Sequence, residues 1–241
     1  MSAARIDNAL SPEDPVFLNP TKILDCDHPD VQRFAASATD GAGDNPVDCA
    51  VHLYLAVRDG IHYDPYGPFY RPEHYQASRV LSTRRGFCIG KAGLLCAAGR
   101  ACGIPARLGF ATVRNHLATR QLIDFLGTDR FVFHGYTEFY LEGKWVKATP
   151  AFNAALCRRH GVSPLAFNGR EDSIFQPYNQ DNQKYMEYVA DHGIYWDIPV
   201  DAIAAAWREV YGQERVERWI TELERTGGRS LRDFAKESVL R

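Results

Sequence analysis

The chain has 241 residues, of which 45% are hydrophobic and 24% charged, and its formal net charge is −2. This composition is typical of a globular protein, and it offers no basic field that would attract nucleic acid or anionic lipid. No apolar run approaches the length of a membrane span, and the first residues lack the apolar core of a secretion signal. We therefore expect a cytoplasmic protein with no nucleic-acid or membrane partner.

The cysteine and histidine spacings argue against metal sites. The six cysteines include no Cys-x-x-Cys pair, and several of them lie in apolar helical patterns. That usage is typical of reduced thiols rather than of a disulfide framework. Because the histidines also lack metal-ligand spacing, we expect neither a metal nor another cofactor.

The N-terminal part of the chain predicts an arm followed by two helices. Residues up to about Asp27 are rich in Pro, Asn and Asp, which is typical of an extended arm that is packed on the surface or partly disordered. A short helix is predicted for Pro29–Ala38. Asn45 and Pro46 are suited to the N-cap and first position of a second helix, which ends at Gly60.

A buried helix that begins with a cysteine is the central prediction. Ile61 to Tyr63 predicts a short extended piece, and an aromatic loop follows as far as Tyr75. From Cys88, small or apolar residues recur with a period near 3.6 until Gly103, which can adopt the left-handed conformation that ends a helix. The open N–H groups of the first turn and the helix dipole favour a thiolate at Cys88.

A hairpin is predicted after a strand at 106–113 and a connection of uncertain form. Phe131–Leu141 and Lys144–Thr149 are the two strands, joined by Glu142-Gly143 as a two-residue turn. This turn places His134 and Thr149 on one face as diagonal neighbours. It also places Glu138 opposite Lys147, which predicts a cross-strand ion pair.

The last third of the sequence is less regular. Residues 157–195 are polar and aromatic, and they could drape over the core or form part of a substrate cleft. Two amphipathic helices follow, with a break at Gly212. Their stripe of Trp207, Trp219 and Leu223 predicts helix packing, and a homo-oligomer interface stays open as the alternative.

A family resemblance is carried by two runs of sequence. These are GFCIGKAGLLCAAGRACGIPARLGFA, which contains Cys88, and HGYTEFYLEGKWVKATP, which begins at His134. Together with the helix that ends VHLYLAVRDGIHYDP, they resemble the transglutaminase-like superfamily of papain-type thiol enzymes over roughly Pro46–Pro150. The resemblance implies an α+β, papain-like core in which the nucleophile helix packs on a small antiparallel sheet.

The resemblance also implies a Cys-His-Asp triad. Cys88 and His134 match its first two positions, whereas the third position, where the family usually has Asp before Pro, is Thr149. A threonine hydroxyl can accept a hydrogen bond from imidazole but carries no charge to stabilise the imidazolium. Asn153 is an alternative third member, since Asn serves in papain-type enzymes, and Asp172 is a more remote one.

The backbone N–H of Cys88 is predicted to form part of an oxyanion hole. A donor from the preceding loop would complete it, with Tyr63 as the first candidate and Tyr70 as the second. Arg84 and Arg85 are expected to cap a solvated turn, and steering of an acidic substrate toward the thiol is the alternative.

The predicted function is acyl transfer or hydrolysis at an amide or related acyl bond of a small molecule or peptide, through a Cys88 thioester. His134 acts as the general acid and base. The alternatives are a small-molecule amidase, a thioester cyclase on the same scaffold, or an inactive binding module, which the missing Asp suggests. The predicted organisation is an arm and short helix over 1–45, a catalytic core over 46–160, and a cleft-covering segment with helices over 161–241, all in one continuous domain.

Overall fold

The computed structural model describes residues 5–6, 10–116, 118–179 and 181–238. The helices of these ranges are α1 (Pro29–Ala38), α2 (Pro46–Gly60), α3 (Ala77–Thr83), α4 (Cys88–Ala101), α5 (Arg120–Leu126), α6 (Ala154–His160), α7 (Val200–Tyr211) and α8 (Gln213–Arg225). The strands are β1 (Arg5–Ile6), β2 (His62–Tyr63), β3 (Arg85–Gly86), β4 (Ala106–Asn115), β5 (Arg130–Leu141), β6 (Lys144–Ala148) and β7 (Met186–Tyr195). Short 3₁₀ turns are formed by Pro15–Phe17, Pro72–His74 and Phe234–Lys236.

One five-stranded antiparallel sheet forms the centre of the molecule, in the order β1-β7-β4-β5-β6. Helix α4 packs on this sheet, mainly against β5 and β4. The short strands β2 and β3 form a separate parallel pair just before α4. The predicted α+β class, with the Cys88 helix packed on a small antiparallel sheet, is confirmed.

The helices α1 and α2 have the predicted bounds because their first turns are well capped. Asn45 accepts a hydrogen bond from the Val47 N–H at 2.9 Å, and Pro46 occupies the first helical position. In α1 the His28 ring takes the capping position by accepting from the Asp30 N–H. A side-chain cap followed by proline therefore fixes both helix starts.

Helix α4 is buried on every side, not on one face as its period suggests. Its residues from Cys88 to Arg100 are all buried. Small residues allow this close packing: a Cβ atom at Gly99 would lie 2.3 Å from the Phe139 ring of β5. The buried Arg100 guanidinium donates to backbone carbonyls, including that of Ala106 at 3.0 Å, so its polar groups are paired.

The hairpin forms with the predicted turn and register. Glu142 and Gly143 both have positive φ, at 48° and 84°, as a primed turn requires, and Tyr140 pairs with Trp145. The predicted ion pair between Glu138 and Lys147 is wrong, although the two residues are opposite each other.

Glu138 instead pairs with Arg107 of β4 at 2.7 Å, and both side chains are buried. The Lys147 ammonium lies over the Tyr136 ring, 5.2 Å from its centroid. A neighbouring strand therefore provides a better-shielded partner than the hairpin does. Sequence spacing along the hairpin cannot reveal that competitor.

Strand β7 and the N-terminal arm both extend the sheet. β7 runs through the segment predicted to drape over the core, and it pairs with β4 along its length. β1 of the arm then pairs with β7, while Phe17 and Leu24 of the arm are fully buried. The arm, the core and the C-terminal segment therefore share one sheet.

The C-terminal helices pack as the apolar stripe predicts. Trp207, Trp219 and Leu223 are all buried, and the Trp207 indole donates to the Val132 carbonyl at 3.1 Å. Gly212 separates α7 from α8 with φ of 91°. All six cysteines are free thiols. Within the described ranges, no helix is both long and apolar enough to cross a membrane.

Candidate active site

Cys88 is the first residue of α4, and its sulfur lies against open backbone N–H groups. Phe87 occupies the N-cap position and has no side-chain acceptor for them. Burial raises the pKa of the Cys88 thiol, and the neighbouring backbone N–H groups of Gly135, Ile89 and Cys88 act against that rise and favour the thiolate. Because the helix start is uncapped, the backbone N–H groups of its first turn are left free to stabilise negative charge on the Cys88 sulfur.

Strand β5 crosses the first turn of α4 at Gly135. A Cβ atom at this position would lie 3.0 Å from the Cα atom of Ile89, which is tighter than most side-chain contacts, so glycine eases the close approach of the two backbones. His134 is the residue immediately before this crossing. The structure therefore brings the backbone of the predicted base directly to the turn that carries the predicted nucleophile.

A bulge in β5 precedes His134. The register between β4 and β5 shifts between Ala111 and Val113, and Phe133 has a left-handed φ of 57°. Its ring stacks on His192 at 4.3 Å, which holds the unusual backbone in place. Bulges re-aim the side chains that follow them, and here the next side chain is His134.

The His134 imidazole lies in a dry, apolar environment. The residue is 4% exposed, and its ring packs on Phe175 with 4.9 Å between centroids. Within the described part of the chain, its Nε2 atom has no hydrogen-bond partner. Burial lowers the pKa of His134 to about 3, because nothing compensates the loss of hydration of the imidazolium.

Burial acts on Cys88 in the opposite direction. It raises the pKa of the thiol to about 11, and the three backbone N–H groups offset only part of that effect. A thiol and a neutral imidazole are therefore the resting species at pH 7. Forming the thiolate–imidazolium pair requires a change of surroundings, such as substrate or water entering the site.

Thr149, the predicted third member, is buried with an unpartnered hydroxyl. It is 1% exposed, and its Oγ1 atom has no hydrogen-bond partner in the described ranges, so it does not bond to the His134 ring. Its carbonyl accepts from the Tyr54 hydroxyl at 3.2 Å. The third position therefore has no charge and no hydrogen bond to imidazole in this conformation.

Asn153, the alternative third member, uses its amide elsewhere. Its oxygen accepts from the Tyr63 N–H at 3.0 Å. Its NH₂ group donates to the carbonyls of Arg58, Asp59 and Ile61. We therefore give Asn153 the role of anchoring the end of α2 and the start of β2, not of orienting His134.

Asp172 also lies apart from the buried imidazole. Its exposed carboxylate accepts the Lys147 N–H at 2.9 Å, at the outer edge of β6. The next residue, Ser173, continues this edge by donating its N–H to the Lys147 carbonyl. Asp172 therefore completes the hydrogen bonding of an edge strand.

The two tyrosines predicted to supply an oxyanion donor are placed differently. Tyr63 packs against Phe152 and Phe234, and burial together with the neighbouring Cys88 raises the pKa of its hydroxyl. Tyr70 instead packs on His74, and no hydrogen bond or ring contact joins it to Cys88 in the described ranges. Tyr63 is thus near the thiol, whereas Tyr70 belongs to the surrounding loop.

Three further tyrosines near the thiol were missed by the sequence reasoning. Burial raises the pKa of Tyr75, Tyr188 and Tyr211, and a thiolate at Cys88 would raise each of them further, which places all three side chains in its neighbourhood. Tyr211 accepts the Val132 N–H at 2.8 Å. The Tyr75 hydroxyl is fully buried with no partner in the described ranges. Its only sequence signal is its place at the end of the aromatic loop.

Lys91 of α4 holds the end of α2 and the chain before Tyr63 in place. Its side chain is fully buried, and its ammonium donates to the carbonyls of Arg58 and Ile61 at 2.8 and 2.7 Å. Burial lowers the pKa of Lys91 to about 7. Together with Asn153, it fixes the chain that leads from α2 into Tyr63.

The described residues contain no group of three or more His, Cys, Asp or Glu side chains arranged to hold a metal ion. The buried polar groups around Cys88 are a thiol, an imidazole and hydroxyls. These groups suit proton transfer and hydrogen bonding to a carbonyl substrate.

A family model described as the transglutaminase-like superfamily core matches residues 32–150, just under half of the chain. Residues 32–150 are therefore similar to the transglutaminase-like superfamily core. The match includes α2, α4, β4 and the β5–β6 hairpin, and therefore both Cys88 and His134. No match among curated proteins is found.

Solved structures with similar domains share little sequence with the chain. A "Putative Cysteine Protease" from Cytophaga hutchinsonii is 20% identical, with a TM-score of 0.44 over 59% of this chain and 43% of that one. The periplasmic domain of TgpA from Pseudomonas aeruginosa is 18% identical, with a TM-score of 0.39 over 59% and 48%.

Red sea bream transglutaminase is 13% identical, with a TM-score of 0.37 over 84% of this chain and 42% of that one. The chain therefore spans less than half the length of each of these three proteins. These names describe the three similar proteins, and they say nothing about the substrate of this chain.

Proposed function

We propose that the transglutaminase-like domain catalyses acyl transfer through a thioester on Cys88. The thiol gives its proton to the His134 imidazole, and the sulfur attacks the carbonyl carbon of an amide or related acyl substrate. The imidazolium then protonates the leaving group, and the thioester remains on Cys88. Water or an amine, deprotonated by His134, attacks the thioester and regenerates the thiol.

One observation carries this proposal. Strand β5 crosses the first turn of α4 at Gly135, the residue next to His134, and the backbone N–H groups of Gly135 and of the α4 start favour a thiolate at Cys88. A structural thiol in a core needs no such donors, whereas the negative charge that develops during acyl transfer does. The backbone N–H of Cys88 would serve the oxyanion of the tetrahedral intermediate.

The resting protonation states fit an enzyme that is activated on binding. A neutral pair buried among apolar side chains becomes an ion pair only when polar groups of a substrate come close to it. Without a carboxylate at the third position, the imidazolium depends further on those groups. We therefore infer weak activity toward simple acyl compounds and stronger activity toward a substrate that fills the site.

Hydrolysis and transamidation share these steps and differ only in the acceptor. The aromatic side chains near Cys88, Tyr63 and Tyr75 among them, favour a narrow site and hence a small molecule or an extended peptide as the substrate. A small-molecule amidase and a thioester cyclase remain alternatives on this scaffold, and both would form the same thioester. An inactive binding module would not form it.

Trapping of the thioester tests the proposal. The protein is incubated with an activated acyl ester, quenched in acid, and digested for peptide mass spectrometry. We expect one acyl group on Cys88, absent from Cys88→Ala and strongly reduced in His134→Asn. A primary amine added to the reaction should release an amide if the enzyme is a transferase, and only the acid if it is a hydrolase.

Cys96→Ala is the matched control because Cys96 is a buried thiol of the same helix. This variant should be acylated like the unmodified protein. Acylation of Cys88 at the same rate with and without His134, or no acylation above the Cys88→Ala background, would favour the binding module.

A further inference from the structure

A large cavity lies beside Phe87, the residue that precedes the predicted nucleophile. Its volume is about 660 Å³, and its walls come from the loop after β2, from α3, and from the C-terminal segment 228–236. Phe87 and Gly86 contribute to the lining, so the cavity reaches the chain directly before Cys88. None of the steps proposed above uses this space.

Positive side chains dominate the cavity. Its basic lining residues are Arg79, Arg85, Arg229, Arg232 and Lys236, against the carboxylates of Asp64 and Asp233. This excess is local, since the whole chain has a formal net charge of −2. Like charges collected in a concave surface repel one another unless an anion is present.

The two carboxylates are already paired. Asp64 binds Arg85 at 3.0 Å, and Asp233 binds Lys236 at 3.2 Å. Within the described ranges, Arg79, Arg229 and Arg232 have no carboxylate partner. Arg232 lies over the rings of Tyr66 and Phe125, at 5.5 and 5.0 Å from their centroids. The guanidinium groups of Arg79 in α3 and of Arg229 in the C-terminal segment are therefore the ones available to a ligand.

We propose that this cavity binds an oxyanion, the carboxylate or phosphate of a small molecule, through Arg79 and Arg229. Guanidinium groups match both kinds of oxyanion because they donate two parallel hydrogen bonds. An anion held here lies next to Phe87 and hence near Cys88. That it belongs to the acyl substrate rests on the proposed function, whereas its binding does not.

Protection of arginines from chemical modification tests the site. The full chain is treated with phenylglyoxal, which reacts with free guanidinium groups, and modification is mapped by mass spectrometry. Inorganic phosphate and succinate are added separately, with sodium chloride holding the ionic strength constant. We expect one or both to protect Arg79 and Arg229 but not Arg225, an exposed arginine of α8 outside the cavity.

Calorimetric titration with the better protecting anion gives the affinity of each variant. Arg79→Gln combined with Arg229→Gln should weaken binding at least ~10-fold, as expected for loss of charge-assisted hydrogen bonds. Arg225→Gln should leave it unchanged. If the double variant does not fold, the exposed Arg229→Gln alone should still weaken binding several-fold.

Cys88→Ala separates this proposal from the catalytic one, since it should bind the anion and form no thioester. Protection by phosphate alone identifies a phosphate-bearing ligand, and protection by succinate alone a carboxylate-bearing one. Protection by neither anion, or equal protection of Arg225, would overturn the proposed site.

Discussion

Two environments meet at Phe87, and they differ in almost every physical respect. On one side, Cys88 and His134 are buried among apolar rings, and burial moves both pKa values so as to keep each group neutral. On the other side, a cavity of about 660 Å³ is lined by five cationic side chains. The site that should do chemistry is dry, and the site beside it is charged.

This difference suggests that the two sides of Phe87 have different functions. A charged cavity can attract and hold an anionic ligand from solution, whereas a dry site strengthens hydrogen bonds to a developing oxyanion. A dry site alone cannot form its own ion pair, because burial penalises both charges. Recognition would therefore come from one side of Phe87 and bond rearrangement from the other.

Removing the Cys88 sulfur should have the largest effect, because it should abolish the chemistry and leave anion binding intact. Cys88→Ala should reduce acyl transfer by at least ~10⁴-fold, because the covalent step is lost. Anion binding in the basic cavity should be unchanged, since Cys88 does not line it. Turnover assays and calorimetry on the same preparation measure both, and a parallel loss of the two would show that the sites are not separable.

Enlarging Gly135 should separate the strand from the nucleophile turn. In Gly135→Ala the new methyl group meets the Ile89 backbone, so we expect ~10²-fold lower activity and ~1–3 kcal/mol lower stability. Gly60→Ala is the control, because nothing lies within 4 Å of its added Cβ. Thermal unfolding and turnover of both variants check this, and an active, stable Gly135→Ala would contradict the close crossing.

The buried imidazole should make stability fall in acid. The pKa of His134 is about 3 when folded, below its usual 6.5 when unfolded, so the unfolded chain binds more protons between these values. Stability is therefore lost progressively as pH falls from 6.5 toward 3, at up to ~1.4 kcal/mol per unit from this residue. Denaturant unfolding across this range measures the slope.

His134→Asn should flatten that slope, while His62→Asn, which changes an exposed histidine, should not. The same slope in His134→Asn as in the unmodified protein would show that the imidazole is hydrated in solution. The conclusion that the Cys88–His134 site excludes water would then be wrong.

A carboxylate at position 149 should make the Cys88–His134 site more reactive. In Thr149→Asp a negative charge is added diagonally across from His134, which raises the pKa of His134 and stabilises the imidazolium. We expect ~10-fold faster thioester formation, accompanied by a modest loss of stability from burying the carboxylate. Thr149→Asn, which has the same shape without charge, is the control, and equal rates for the two variants would exclude Thr149 from the triad position.

Local signals explain what the sequence could predict. The Cys88 helix has its end marked by Gly103, and the hairpin carries Glu142-Gly143 with alternating strands, so both appear where expected. These signals depend on neighbours within a few residues. The placement of Cys88 and His134 at one crossing follows from them and from the family resemblance.

Long-range pairing explains most of what was missed. Residues 187–191 of β7 are exposed and show no alternation, and bulges interrupt its pairing with β4. Only the partner strand makes this segment a strand. The basic cavity also depends on long-range contacts, because Arg79 and Arg229 are far apart in the sequence. No local sequence pattern predicts that they lie in one cavity.

The most direct test of the central claim is the rate at which iodoacetamide alkylates Cys88 between pH 6 and 8, in the unmodified protein and in His134→Asn. If His134 takes the thiol proton, Cys88 should react at least ~10-fold faster when the imidazole is present. Equal rates in the two proteins across this range would contradict the account, because the thiol would then ionise without the base assigned to it.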